Sequence, residues 1–205
     1  MSEITSTVPQ SRGPTDHNVR EQILEAAGEH FSRYGYEKTT VSDLAKAIGF
    51  SKAYIYKFFD SKQAIGEAIC SKTLSAMVAA IEEAVAGAST PTEKFRRMFK
   101  TLTATGANLF FHDRKLHDIA AHAAGEGWPP ARAYAERIRQ ILMDVVREGR
   151  ETGEFERKTP LDETVHAIYL VLHPYANPLL LQHNLDLIED APAQLSNLVL
   201  RSLAP

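Results

Sequence analysis

The sequence predicts an all-α protein, in which an N-terminal three-helix unit containing a helix-turn-helix precedes a larger helical domain, with about nine helices in total. Apolar residues recur at spacings of three and four through most of the chain, and no segment alternates apolar and polar residues as a strand does. A glycine also separates two short helical patterns. We therefore expect an N-terminal arm over residues 1–16, a helix-turn-helix domain over 17–62 and a helical domain over 63–205.

The N-terminal part of the chain changes character at residue 17. Residues 1–16 are polar and contain two prolines and a glycine, which predicts a disordered arm. A helical stripe of apolar residues then runs from His17 to Tyr34. Gly35 follows it, and glycine is the residue that most readily adopts the positive φ with which many helices end. The sequence thus predicts a first helix over residues 17–34.

The next two helical patterns cover residues 41–48 and 52–59, and only three residues separate them. Thr40 or Thr39 is a candidate N-cap for the first segment and Ser51 for the second, because their hydroxyls can accept a hydrogen bond from a free backbone N–H. Gly49 allows the sharp turn between them. The first segment has an apolar stripe formed by Val41, Leu44, Ala45 and Ile48. This arrangement is typical of a helix-turn-helix.

Lysine and tyrosine are expected on the exposed side of the second segment. Lysine ammonium groups neutralise phosphates, and tyrosine hydroxyls donate to phosphate oxygens or base edges. The whole chain carries a net charge of −3, but residues 46–62 contain four lysines and one aspartate, a local charge of +3. Because the field of a phosphate decays over about 8–10 Å at cellular salt, the local charge matters more for binding than the total.

The stretch also resembles the DNA-binding domain of the tetracycline-repressor (TetR) family, and the resemblance covers about residues 19–66. That family's pattern is approximately Thr-Thr-Val, Ile-Ala, Gly-Val-Ser, Tyr-x-x-Phe and Ser-Lys-x-x-Leu. The matching residues here are Thr39, Thr40, Val41, Leu44, Ala45, Gly49, Phe50, Ser51, Ile55, Tyr56, Phe59, Ser61, Lys62 and Ile65. The resemblance implies a transcriptional regulator, most often a repressor, that binds a palindromic operator in double-stranded DNA as a homodimer.

Residue roles follow from the same resemblance. Lys52, Ala53 and Tyr54 are expected to face bases. Phosphate contacts are expected from Thr40, Ser42, Tyr56, Lys57 and Lys62. At Ala53, Tyr54 and Lys57 the chain departs from the family's usual residues, and these positions bear on the operator sequence rather than on the fold.

The larger domain is predicted to contain six helices. Their ranges are 61–88, 92–111, 114–124, 131–152, 162–183 and 189–203. Pro174 and Pro178 fall inside the fifth of them and are expected to kink or interrupt it.

The TetR resemblance further implies a cavity for a small-molecule effector and a dimer interface built from the last two helices. The candidate effector contacts are Phe99, Leu102, Phe110, Trp128, Tyr134, Ile138, His166, Tyr169 and His173. The candidate interface residues are Leu179, Leu180, Leu195, Leu198, Val199 and Leu203. The effector is expected to be partly apolar, because most of its candidate contacts are.

Two alternatives stay open from the sequence. Histidines and carboxylates at helical spacing, such as Asp113 with His117 or Glu163 with His166, could hold a metal in a helical-bundle enzyme. The second copy of the Glu-x-x-His motif that such a bundle needs is absent, and no nucleophile or phosphate-loop pattern occurs, so neither metal, cofactor nor enzymatic activity is expected. The other alternative is a helix-turn-helix protein that binds DNA without an effector.

Composition also bears on the compartment. The single cysteine, Cys70, excludes an internal disulfide and suits a reducing cytoplasm. Neither an apolar run of about twenty residues nor a secretory signal is apparent, so a cytoplasmic protein without a membrane partner is expected.

Overall fold

The computed structural model describes residues 16–205, and every regular element within that range is helical. The all-α prediction with an N-terminal helix-turn-helix is therefore confirmed. The elements are α1 (Asp16–Tyr34), α2 (Val41–Ile48), α3 (Lys52–Ile55), α4 (Lys62–Ala86), α5 (Pro91–His112), α6 (Arg114–Gly125), α7 (Pro129–Thr152), α8 (Leu161–Ala176), α9 (Pro178–Leu181), a 3-10 turn (Leu185–Leu187) and α10 (Ala191–Ser202). The predicted arm lies outside the described residues except for its last position, where α1 begins.

Helix α4 is the element around which both parts of the chain pack. Its largest interfaces are with α5 and α7, and it also contacts α1 and α6. Ile65 and Ile69 near its start, and Leu74 and Ile81 further along, are all buried. Each such side chain contributes about 1.5–3 kcal/mol of hydrophobic stabilisation. A single helix thus connects the helix-turn-helix to the larger bundle.

By length and composition, α4 is the one described helix that could cross a bilayer. This is weak evidence, because core helices of globular bundles meet the same criterion. Here the apolar residues of α4 pack against α5 and α7. The packing explains the composition without a membrane.

The second helix of the helix-turn-helix is shorter than predicted. We expected it over residues 52–59, but α3 ends at Ile55 and the chain continues as tight turns. The amide of Phe58 bonds to the carbonyl of Ile55 at 2.9 Å, an i to i−3 bond that tightens the backbone. Ile55 and Phe59 are nevertheless both buried, as their spacing of four predicts.

The predicted helix 162–183 is divided in the structure. Helix α8 passes through Pro174 and ends at Ala176, and Asn177 is extended with φ −91° and ψ 117°. A residue before proline is disfavoured in the helical region, so Pro178 accounts for the break. Pro178 then begins α9, whose first free amide, that of Leu179, is capped by the Asn177 side chain at 2.9 Å. This division and the 3-10 turn account for the elements beyond the nine helices predicted.

Candidate nucleic-acid interface and ligand cavity

The caps of the helix-turn-helix agree with the local prediction. Thr40 and the N3 residue Asp43 form a capping box, with the Asp43 amide 3.2 Å from the Thr40 hydroxyl oxygen and the Thr40 amide 3.0 Å from a carboxylate oxygen of Asp43. Gly49 has a φ of +76°, and the Ser51 hydroxyl accepts the amide of Tyr54 at 3.1 Å. These contacts orient α3 relative to α2.

The capping box has a pH dependence that can be measured. The Thr40 hydroxyl donates to Asp43 at 2.6 Å, and this bond, followed by that from the Thr40 amide, lowers the pKa of the exposed Asp43 carboxyl below its ordinary value of 3.8. A lowered folded-state pKa adds stability above the unfolded-state pKa, and that stability is lost as pH falls through the folded-state value. We therefore expect Asp43→Asn to lower the urea midpoint at pH 7 and to lower it much less at a pH of about 2.

The matched control is Asp60→Asn, which removes an exposed carboxylate that has no hydrogen-bond partner among residues 16–205. Its midpoint should stay near that of the wild type at both pH values. An Asp43→Asn defect of equal size at pH 7 and at low pH would show that the carboxylate charge does not stabilise the cap.

The outer face of the helix-turn-helix carries most of the predicted DNA contacts. Lys52, Ala53, Tyr56 and Lys57 are exposed, and Tyr54 is half-buried. The ammonium groups of Lys52 and Lys57 have no acidic partner within residues 16–205, and they lie 5.7 and 5.6 Å from the ring centres of Tyr56 and Tyr54. The face therefore offers lysine ammonium groups near tyrosine rings, and lysine and tyrosine are both residue types that contact DNA phosphates.

Tyr54 is held more firmly than its neighbours. Its ring lies edge-on to Phe50 at 5.1 Å and to Phe58 at 5.4 Å between ring centroids. Such pairs add about 0.5–1.5 kcal/mol each beyond the area they bury. The Tyr54 side chain is thus positioned before any partner arrives.

Two of the three remaining predicted DNA contacts, Thr40 and Lys62, have partners within the protein. The Thr40 hydroxyl is bonded to Asp43, and Ser42 is half-buried. The Lys62 ammonium donates to the backbone carbonyl of Tyr36 at 3.2 Å and lies 4.3 Å from the centre of that ring. Phosphate contacts from these residues stay predictions, and for Lys62 such a contact would have to compete with the bond to Tyr36.

Lys62 belongs to a junction between the helix-turn-helix and the larger bundle, formed by Tyr36, Lys62, Gly66, His122 and Trp128. The Trp128 ring lies edge-on to Tyr36 at 5.5 Å and to His122 at 5.2 Å. A Cβ on Gly66 would lie 2.8 Å from Tyr36 and 3.1 Å from Trp128, so only glycine allows this approach without a shift. We name this set the aromatic junction. Trp128, predicted as an effector contact, is placed here.

Three of the nine predicted effector contacts line one cavity of about 160 Å³. They are Tyr134, Tyr169 and His173. The buried Tyr134 hydroxyl has no hydrogen-bond partner in the described part of the chain, and burial raises the pKa of this phenol, so it is neutral and able to donate. An unpaired buried hydroxyl costs about 1–3 kcal/mol, which a bound acceptor would offset.

The sequence did not single out the cationic lining of this cavity. Arg132 and Arg139 line it together with Asn177. The Arg139 guanidinium carbon lies 4.1 Å from the centre of the Tyr169 ring. Arginines on a helical pattern usually face solvent, and only the approach of α8 to α7 shows that these two border a cavity.

The other predicted effector contacts lie elsewhere. Phe99, Leu102 and Ile138 are fully buried core residues, and none lines the cavity. Phe110 packs against His117, with 4.9 Å between ring centroids, and His166 is exposed on α8.

Apolar exposure at the predicted dimer surface is confined to a few positions. Leu198 on α10 is 62% exposed and Leu170 on α8 is 57% exposed. Leu179 is also exposed, whereas Leu180 and Leu195 are half-buried. Val199 and Leu203, the remaining two predicted interface residues, are buried within the protomer. They would affect a dimer interface only through the packing of the protomer core.

Within residues 16–205, no group of three or more histidine, cysteine, aspartate or glutamate side chains could hold a metal. His117 is fully buried and its Nε2 lies 3.1 Å from the Pro178 carbonyl oxygen, while burial lowers the pKa of its ring. Its predicted partner Asp113 accepts the amide of Leu116 and so caps α6. Cys70 is buried, and burial raises the pKa of its thiol to about 12, so that it is an unreactive thiol.

Comparison with known proteins identifies both parts of the chain. Residues 23–69 match the family described as "Bacterial regulatory proteins, tetR family", and residues 91–196, just over half of the chain, match "Tetracyclin repressor-like, C-terminal domain". The biofilm operon regulator IcaR of Staphylococcus aureus (strain Newman), a negative transcriptional regulator, is 41% identical over 49 residues. The match covers 24% of this chain and only 26% of IcaR.

Solved structures extend the likeness to nearly the whole chain. The TetR-family regulator PfmR of Thermus thermophilus is 27% identical, with a TM-score of 0.56 over 87% of this chain and 97% of its own. FadR of Bacillus subtilis, solved with stearoyl-CoA, is 22% identical, with a TM-score of 0.63 over 90% of this chain and 97% of its own.

Proposed function

Because this chain belongs to the TetR family of DNA-binding transcriptional regulators, we propose that it is a cytoplasmic, homodimeric repressor that binds a palindromic operator and leaves it when a small molecule binds. The observation that best supports DNA binding is the exposed face around α3, where Lys52 and Lys57 have no acidic partner within the described residues. A domain boundary near residue 62, where α4 begins, is part of this proposal.

A homodimer is supported by the exposed leucines on α8 and α10. Leu170 and Leu198 are both more than half exposed, and burying each against a twofold mate would stabilise the dimer by about 1.5–3 kcal/mol. A single copy of α3, the helix expected to contact bases, is too short to contact enough bases for specificity. Two copies spaced by about 34–36 Å would contact successive major grooves.

The effector site is proposed at the cavity lined by Tyr134, Tyr169 and His173. At about 160 Å³ it is small, but a neighbouring cavity of about 260 Å³ shares Leu74 and Tyr134 with it. Movement of the Tyr134 ring would join the two into a space of ordinary ligand size. Arg132, Arg139 and the Tyr134 hydroxyl suit a compact, partly apolar molecule that carries hydrogen-bond acceptors.

Release from DNA follows from two-state coupling. Five helices line the two cavities, and one of them, α4, is the helix that follows α3 along the chain. An effector that binds better when α4 is displaced would favour a spacing of the recognition helices that does not fit both half-sites.

Genomic fragments selected on the purified protein, recovered at two salt concentrations, test the proposal. We expect an enriched inverted repeat whose affinity falls steeply with salt. Weak binding without sequence preference would contradict it.

Substitutions of two lysines on the exposed face around α3 should have different effects on the binding of that repeat. Lys57→Ala is expected to weaken binding to all sequences alike and to reduce the salt slope by about one, because it removes a phosphate contact. Lys52→Ala is expected to relax discrimination at one base pair by about 1–3 kcal/mol, because it removes a base contact. Fluorescence anisotropy with the repeat and its single-base variants measures both effects.

Lys158→Ala serves as the matched control, since Lys158 is exposed on the loop between α7 and α8. It should bind all of these duplexes like the wild type. Equal behaviour of all three variants would show that α3 does not contact DNA as proposed.

A further inference from the structure

A groove of about 610 Å³ lies between α5 and α10, away from the proposed effector cavity, and shares no lining residue with it. One wall is a stripe of α5, and the other is the start of α10 with the residues before it. Arg96, Lys100 and Thr103 are on the α5 wall, and Pro192, Ala193 and Ser196 are on the α10 wall. Its volume falls within the range of sites that hold small organic molecules.

The charges in this groove are separated along its length. Thr92 bonds through its hydroxyl to Glu154 at 2.9 Å, and the Glu156 amide bonds to the Leu203 carbonyl at 2.8 Å. These bonds place the start of α5 near the end of α10, so the two helices run in opposite directions. Arg96 and Lys100 therefore lie towards the Ser196 end, and Glu189 lies at the other.

The two cations are available to a ligand. Arg96 and Lys100 are both exposed, and neither has an ion pair or a side-chain hydrogen bond within residues 16–205. They are four residues apart on α5 and so project from the same face. A single anionic group could contact both.

Ser196 supplies an independent indication of a missing partner. The residue is 1% exposed and lines the groove, and its hydroxyl oxygen is buried without a hydrogen-bond partner among the residues that the structure describes. Thr103 on the opposite wall differs, because its hydroxyl donates to the Phe99 carbonyl at 2.9 Å. An unsatisfied buried hydroxyl costs about 1–3 kcal/mol, which an acceptor atom in the groove would offset.

The groove is also distinct from the proposed dimer surface. Pro192, Ala193 and Ser196 are spaced by one and three residues and share one side of α10. Leu198 and Arg201, three residues apart, lie on another side, which is exposed. A protomer bound at Leu198 would leave the groove free.

We propose that the groove between α5 and α10 binds an amphipathic anion, that is, an elongated apolar molecule with one carboxylate, sulfonate or phosphate group. The anionic group binds Arg96 and Lys100 and accepts from the Ser196 hydroxyl. The apolar part lies along Ala104, Ala107 and Pro192. Glu189 disfavours the reversed orientation by like-charge repulsion.

The test uses 1-anilinonaphthalene-8-sulfonate, whose fluorescence rises in apolar sites, and its uncharged analogue N-phenyl-1-naphthylamine. The double substitution Arg96→Gln and Lys100→Gln should lower the affinity for the sulfonate probe about tenfold, the usual effect of losing charge-assisted bonds. The affinity for the uncharged probe should stay the same. Decanoate and decyl phosphate should displace the sulfonate probe at lower concentrations than decanol does.

Variants that fill the space locate the site. Ala193→Trp and Ala104→Trp, from opposite walls, should each abolish binding of the sulfonate probe, and both residues are exposed, so the fold tolerates them. Two control variants should bind the sulfonate probe like the wild type. Lys72→Gln changes an exposed lysine of α4, and Ala135→Trp fills the effector cavity.

Three results would overturn the proposal: no binding of the sulfonate probe by the wild type, undiminished binding by both groove-filling variants, or loss of binding in Ala135→Trp alone. None of these bears on operator binding, so the groove and the proposed regulatory function can fail separately.

Discussion

Replacement of Gly149 by alanine is expected to lower the free energy of unfolding by about 3 kcal/mol. The added Cβ would lie 2.6 Å from Cγ of Phe155 and closer still to two other atoms of that ring. Phe155 is 3% exposed, and its amide bonds to the Gly149 carbonyl at 2.9 Å, so the backbone of the turn that ends α7 holds this buried ring close to Gly149. Urea denaturation followed by circular dichroism measures the loss.

Gly28→Ala is the matched control, since it makes the same change inside α1 where a Cβ meets nothing within 4 Å. It should be neutral or stabilise by up to about 1 kcal/mol, the helix propensity difference between the two residues. A double-mutant cycle with Phe155→Ala identifies the cause. If the alanine acts by displacing the ring, Phe155→Ala should cost much less in the Gly149→Ala background than alone. Additive effects would exclude that cause.

The features that the sequence predicted well are those decided within a few residues. The caps at Thr40 and Ser51 and the turn at Gly49 depend on hydrogen bonds and a backbone angle inside one short segment. Helix periodicity places Ile55, Phe58 and Phe59 on one side of the segment, and in the structure Ile55 and Phe59 are buried while Phe58 is half-buried. The end of α3 at Ile55 was missed, because tight i to i−3 turns and helix present nearly the same side-chain pattern.

The cavity was predicted only in part, for a physical reason. Periodicity shows that a side chain points inward, but it does not show whether the space beside that side chain is filled. Phe99 and Tyr134 both have inward positions, yet the first is enclosed by core side chains and the second borders a cavity. Similarly, the bond from Lys62 to Tyr36 joins residues 26 positions apart, which no local pattern reveals.

Replacement of Trp128 by alanine should have an effect at least as large as that at Gly149, because it removes the largest ring of the aromatic junction. Trp128 is 5% exposed and contacts Tyr36, His122 and Gly66. Truncation of a buried aromatic residue costs about 3–5 kcal/mol. Since Trp128 is the only tryptophan of the chain, the loss should be measured by circular dichroism rather than by fluorescence. Trp128→Phe should retain part of the packing, and Phe111→Ala, at a ring 60% exposed, should change stability by about 0.5 kcal/mol at most.

The same substitution should also change how the protein selects its operator. The junction joins the turn after α1 to the start of α4 and to the loop before α7, so it fixes the angle between the helix-turn-helix and the bundle. In the proposed dimer that angle sets the distance between the two recognition segments. Wild-type protein should therefore prefer one half-site spacing, whereas Trp128→Ala should bind operators lengthened or shortened by one or two base pairs with nearly equal affinity. Anisotropy titrations at a temperature where both proteins are folded test this. If the variant keeps the wild-type preference despite its lower stability, the angle is held by other contacts, and the junction contributes to folding alone.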